Sequence, residues 1–165
     1  MAGSPNAGVA EMACPDAAAY RLPAEWEPHA ATWLAWPHRR ATFLGPFEPI
    51  PQAFAQLARL IARHEPVRII GAEDVLAEPR EMLAGVPGVE CIAIPTSDSW
   101  LRDTGPVFLV RRKEAKGPVP ERVAVTWNWN AWGGKYPPWD EDAGVSRGIA
   151  RHLGLPAFVP GLILE

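Results

Sequence analysis

Residues 89–110 read VECIAIPTSDSWLRDTGPVFLV. Two apolar runs, Val89–Ile94 and Val107–Val110, have the length and composition of strands. Between them lies Ser97–Pro106, SDSWLRDTGP. A plain turn needs only Gly105, Pro106 and one aspartate. This connection also carries Asp98, Trp100, Arg102 and Asp103. A carboxylate beside an indole suits a planar cation. Guanidinium offers a fork of N–H donors that one carboxylate accepts in parallel. Its face stacks on an aromatic ring for about 0.5–2 kcal/mol. Asp98 or Glu165 can add a second acceptor. The same residues also fit an Asx-type turn, with Asp98 shaping the loop and Arg102 paired to Asp103. The pattern alone leaves both open.

Working outward, the chain alternates strands, helices and Pro/Gly-rich loops. Ala30–Trp36 reads as a strand ended by Pro37. In Gln52–His64, Phe54, Leu57, Leu60 and Ile61 recur at helical spacing, which predicts an amphipathic helix with these four on its buried face. Val67–Gly71 is a strand. Asp74–Ala84 is a second helix whose start Pro79 blurs. Val123–Trp129 alternates as a strand. Asn130–Pro138 (NAWGGKYPP) predicts an irregular loop. Asp140–Leu153 is a helix with Asp140, Glu141 and Asp142 at its positive end. Phe158–Val159 and Leu162–Leu164 are short strands. This order of hairpins and crossovers is mixed α/β. A faint repetition of roughly 75–80 residues runs through it: a helix, a strand, then a loop with acids and tryptophan. Residues 1–19, rich in Ala, Gly, Ser and Pro, are expected to be a flexible tail, and 20–165 one folded domain. GLILE ends the sequence on an apolar strand, which reads as an interior point of a longer fold.

With 165 residues, 48% of them hydrophobic and 21% charged, the chain can bury a core and is not disordered. A net charge of -3 argues against nucleic-acid binding, which needs a basic face. No run reaches the roughly 18 apolar residues of a membrane span. No basic segment followed by an apolar core marks a secretory signal. Two cysteines, Cys14 and Cys91, make neither a disulfide framework nor a metal motif, so a cytoplasmic, reducing compartment is expected. His29, His38, His64 and His152 include no pair with metal-ligand spacing. Phosphate-cradling glycine loops and a Ser-His-Asp arrangement are missing. Eight tryptophans are unusually many, and Trp100, Trp127, Trp129, Trp132 and Trp139 sit in polar or Gly/Pro-rich surroundings. There they can wall a ligand site or fill irregular loop cores. Two further stretches pair indoles with charge or glycine. In Asn128–Trp139, Gly133-Gly134 permits close backbone approach. Arg21–His29 holds Glu25, Trp26 and Glu27, which surface packing also explains.

RLPAEWEPHAATWLAWPH, DSWLRDTGP, NAWGGKYPPWDED and the closing LILE, in that order over residues 21–165, resemble the agmatine deiminase family. This is a branch of the guanidino-group-modifying enzymes that includes bacterial peptidylarginine-deiminase-type proteins. The resemblance implies part of a five-fold pseudosymmetric α/β propeller, the pentein fold, built of ββαβ-type units. It implies hydrolysis of agmatine to N-carbamoylputrescine and ammonia, a step of putrescine biosynthesis, through a covalent adduct on a Cys with a His as general acid/base. It implies no metal or organic cofactor, and a small cationic guanidino substrate as partner. Residue by residue, Asp103 matches the family's guanidinium-binding Asp, counted here as catalytic as well. Trp100 matches the hydrophobic wall beside it, and Glu165 a Glu of the substrate pocket. Trp132 is added as a pocket-wall residue. Cys91 and the four histidines match none of the family's reacting positions, so the chain reads as the N-terminal half of such an enzyme, inactive alone, a partial propeller with an open seam of unpaired strand edges and a tendency to aggregate or form homo-oligomers. Two alternatives stand beside this reading: a bacterial-type protein-arginine deiminase, and a non-catalytic, tryptophan-rich module for carbohydrate or a cationic ligand.

Overall fold

The structure is a computed structural model that describes residues 9–163. It divides into two compact units: residues 28–102 with 138–142, and residues 9–27 with 103–137 and 143–163.

The first unit is built on a parallel three-stranded sheet, β2 (Thr32–Ala35), β3 (Val67–Gly71) and β4 (Val89–Ala93), with β3 in the middle. Thr32 pairs with Val67, and Val67 with Val89. Parallel neighbours need crossovers, supplied by α1 (Pro49–Ile61) and α2 (Ala77–Met82). The central strand VRIIG is buried at every position but Arg68, which is only partly exposed. Val67 and Ile69 form a core with Trp36, Ala55, Ala58, Leu76 and Leu83. Trp36 meets Phe54 edge-on at 6.3 Å, and its indole N–H donates to Glu78 Oε2 at 2.8 Å.

Helix α1 lies three residues earlier at both ends than periodicity places it. Pro49 occupies its first position, where a missing N–H costs nothing. Its buried residues are Pro51, Ala55 and Ala58, while Leu57 and Leu60 are 43% and 53% exposed. The expected face is thus wrong by part of a turn. At about 100° per residue, Leu57 lies roughly 100° and Leu60 roughly 200° around the helix from Ala58. Phe54 and Ile61 do pack on the core. Helix α2 is shorter than expected, with turns over residues 73–76 taking up its first part.

The second unit holds a four-stranded sheet in the order β1 (Tyr20–Arg21), β5 (Val107–Arg111), β6 (Arg122–Val125), β7 (Ala157–Phe158). Strands β1/β5 and β5/β6 are antiparallel and β6/β7 parallel, with α5 (Asp142–His152) in the crossover between the last two. The run β5–β6–α5–β7 is one ββαβ arrangement. Val145, Ile149 and Ala150 of α5 are buried, as are Val123, Ala124 and Ala157 of the sheet. Past β6 the edge continues irregularly: Thr126 N–H donates to Phe158 O and Asn128 N–H to Leu162 O.

Of the expected tail, residues 1–8 lie outside the described residues. From Val9 on, the chain makes definite contacts. Met12 N–H donates to Ala157 O at 2.9 Å, Ala157 N–H to Ala10 O at 3.0 Å, and Met12 packs on Ala19, Tyr20 and Val123. Arg112 Nε donates to the carbonyls of Ala17 and Tyr20, both at 2.9 Å.

Candidate functional site

The connection between β4 and β5 joins strands of different sheets, and it contains one helical turn, α3 (Leu101–Thr104). Its first half is fixed from within the first unit. Thr96, Ser97 and Asp98 are buried. Asp142 Oδ1 accepts the main-chain N–H of Ser97 at 2.8 Å and of Asp98 at 3.3 Å. Asp98 Oδ1 accepts the Ser99 N–H at 2.7 Å, and its Oδ2 accepts the Thr42 hydroxyl. Asp98 therefore has the loop-shaping part that the sequence offered it.

Asp142 is the residue that sequence reasoning missed. It was read only as one of three acids favouring a helix N-terminus, yet it is 4% exposed. Burial pushes its carboxyl up to about 6, against the two amide hydrogen bonds that hold it down, with Asp98 and Glu141 adding repulsion. No local signal separates it from Asp140 and Glu141, because its partners lie 44 and 45 residues away.

After this pinned segment the chain opens. Trp100 is 42% exposed. Asp103 follows on α3, half-buried, and belongs with the second unit.

The NAWGGKYPP segment belongs to the second unit and, where an irregular loop was expected, makes a single turn, α4 (Ala131–Gly134). Four consecutive residues have left-handed backbone: Ala131 and Trp132 at φ 53°, Gly133 at 75° and Gly134 at 80°. Glycine enters this region freely, whereas each L side chain there costs about 1–2 kcal/mol. Asn130 closes the turn by accepting the Gly133 N–H on Oδ1 at 2.9 Å. Trp132 stands edge-on between Trp129 at 4.7 Å and Tyr136 at 5.6 Å. Strain held at an aromatic residue in a glycine turn is a mark of functional segments.

Of the other candidates, Glu165 lies outside the described residues. Glu27 is occupied by Arg21, which grips it through both terminal nitrogens at 2.6 and 2.7 Å, and the Ala24 N–H adds a bond. The Arg21 bonds draw the Glu27 carboxyl down to about 2. Trp26 beside it is 89% exposed, so this stretch has the form of surface packing. Burial raises the Cys91 thiol, which opposes thiolate formation. His38 Nδ1 sits 3.0 Å from Trp36 O, and His29 lies against Glu65 at 3.1 Å. Among the described residues no three His, Cys, Asp or Glu side chains group to hold a metal ion, and no helix is long and apolar enough to cross a membrane.

Comparison with known proteins agrees with these blocks. Agmatine deiminase of Pseudomonas aeruginosa (strain LESB58) is 39% identical over 139 residues, 82% of this chain and 36% of its own length. Agmatine deiminase of Ectopseudomonas mendocina is 35% identical over 157 residues, 92% of this chain and 40% of its own length. Among solved structures, an agmatine deiminase of Enterococcus faecalis superposes with a TM-score of 0.81 at 25% identity, covering 95% of this chain and 43% of that one. The chain thus spans about two fifths of the length of the relatives it matches, and its fold is part of the five-fold pseudosymmetric α/β propeller of the penteins. The family profile that matches residues 21–165 is that of the Porphyromonas-type peptidyl-arginine deiminases. Covering nearly the whole described chain, that match makes this protein a member of the Porphyromonas-type peptidyl-arginine deiminase family.

Proposed function

We propose that the protein carrying this chain is an agmatine deiminase of the cytoplasm, hydrolysing agmatine to N-carbamoylputrescine and ammonia on the way to putrescine. In this reading Asp103 accepts the guanidinium N–H donors, Trp100 and Trp132 are apolar walls, and Glu165 is a further acceptor. A Cys thiolate from outside this chain attacks the guanidinium carbon. Ammonia leaves with a proton supplied by a His, also from outside. Water then attacks the same carbon, the C–S bond breaks, and a urea remains. Burial raises the Cys91 thiol although the Arg80 charge draws it down, which disfavours it for this role.

The observation that carries the reading is the arrangement of the central loop. Its Ser97–Ser99 segment is held by buried carboxylates while Trp100 stays open and Asp103 half-open. It occurs in a chain 39% and 35% identical to proteins named agmatine deiminases. The family profile's own description favours a second reading, a deiminase of peptidyl arginine. A colorimetric ureido assay on the full-length gene product, with agmatine and with an arginine-containing peptide, separates the two. The expected result is at least a tenfold higher kcat/KM on agmatine. Turnover of the peptide without turnover of agmatine would overturn it.

A further inference from the structure

We propose that Asp142 is a positioning residue that sets the loop carrying Trp100 and Asp103 by holding the main-chain amides of Ser97 and Asp98. This inference rests on the functional reading above and adds to it a residue that no part of that reading assigns. The argument begins with where the donors go. A buried N–H must find an acceptor, and Ser97 and Asp98 are buried at a bend where no strand or helix partner serves them. One carboxylate oxygen takes both, at 2.8 and 3.3 Å, from a residue 44 and 45 positions further on. The next amide, Ser99, is taken by Asp98 itself, whose other oxygen takes the Thr42 hydroxyl. Three consecutive amides are thereby fixed immediately before Trp100 by two buried acids. The Leu101 N–H donating to Ser99 O at 3.0 Å then begins the turn that bears Asp103.

Burying two carboxylates near each other is costly when only stability is at stake. Asp142 lies 4% exposed and Asp98 7% exposed, and burial with mutual repulsion already raises the Asp142 carboxyl. A site needs this kind of second support, because a displacement of about 1 Å in a binding group can lower the rate about a hundredfold. The oxygen of Asp142 is the acceptor required, and an asparagine can present the same oxygen.

The test uses the full-length gene product with Asp142→Ala, Asp142→Ser and Asp142→Asn. Two readouts are taken: hydrogen exchange of peptides covering residues 96–104, and KM against kcat for agmatine. The expected result for Ala and Ser is at least tenfold faster exchange in that segment and a KM raised at least tenfold, with Asn within about threefold of wild type on both. Exchange left unchanged in both Ala and Ser, or faster exchange with an unchanged KM, would overturn the proposal. So would an Asn variant as impaired as Ala. If the wild type turns over no agmatine, the functional reading fails and the exchange arm alone decides whether Asp142 positions the loop.

Discussion

Asp103 and Asp142 are both acids near one loop, but the chain treats them oppositely. Asp103 is half-open to solvent, while Asp142 is closed in and already satisfied by two amides. In the proposed function the charge of Asp103 is the asset, so Asp103→Asn keeps shape and loses the complement to guanidinium. In the full-length gene product its kcat/KM on agmatine should fall about 10²–10³-fold, the loss typical of one partner removed from a hydrogen-bonded charge pair. Near-normal kcat/KM would make Asp103 an ordinary loop residue. For Asp142 the charge is a burden. Its carboxyl titrates near 6 in the folded chain, well above the ordinary aspartate value near 4. Between these values the folded state keeps a proton that the unfolded chain has lost. Stability from this group is therefore present at pH 4, declines as pH rises to 6, and stays low above, a change of about 3 kcal/mol at most. Asp142→Asn should match wild type in urea midpoint at pH 4 and exceed it at pH 7.5. A gap that fails to widen with pH would refute this.

Two elements show how a pattern can be right while its detail is not. Helix α1 was legible as a helix because its apolar residues recur, but the leucines drew attention away from the alanines. Ala55 and Ala58 face the core, and their small size lets the helix lie close on the sheet. Ala58→Leu should therefore overpack and cost about 1–3 kcal/mol. Leu57→Gln, on the solvent side, should stay within about 0.5 kcal/mol of wild type by thermal melting. The Ala131–Gly134 turn could not be read as a regular element, since consecutive left-handed residues follow no hydrophobic period. What the sequence did announce was its means, two adjacent glycines. Gly133→Ala should lower stability by about 1–2 kcal/mol although it deletes no contact, because an L side chain is disfavoured at φ 75°. An unchanged denaturation midpoint would mean that the turn is not held left-handed in solution.

Across the whole chain, strands β3 and β5 stand where their apolar runs predict, because a buried run is a local property. The ββαβ order of β5–β6–α5–β7 was likewise foreshadowed by a hairpin followed by a crossover. What stayed hidden was long-range. Nothing in the alternation of VECIAI and VFLV says that they belong to separate sheets, and nothing in DED says that its third acid reaches Ser97. The contacts of residues 9–21 stayed hidden for a related reason: alanine and proline have weak periodicity, whatever they touch. Residues 9–21 supply an edge strand, two carbonyls for Arg112, and Tyr20, whose hydroxyl donates to Pro120 O at 3.1 Å. That has a practical meaning for anyone shortening the gene. A start codon placed at Pro23 would remove what looks dispensable by composition and strip Met12, Ala19 and Tyr20 from the cluster around Val123. The shortened product should melt roughly 10 °C lower and go largely to the insoluble fraction. Low-complexity sequence, here, is a seam sewn shut.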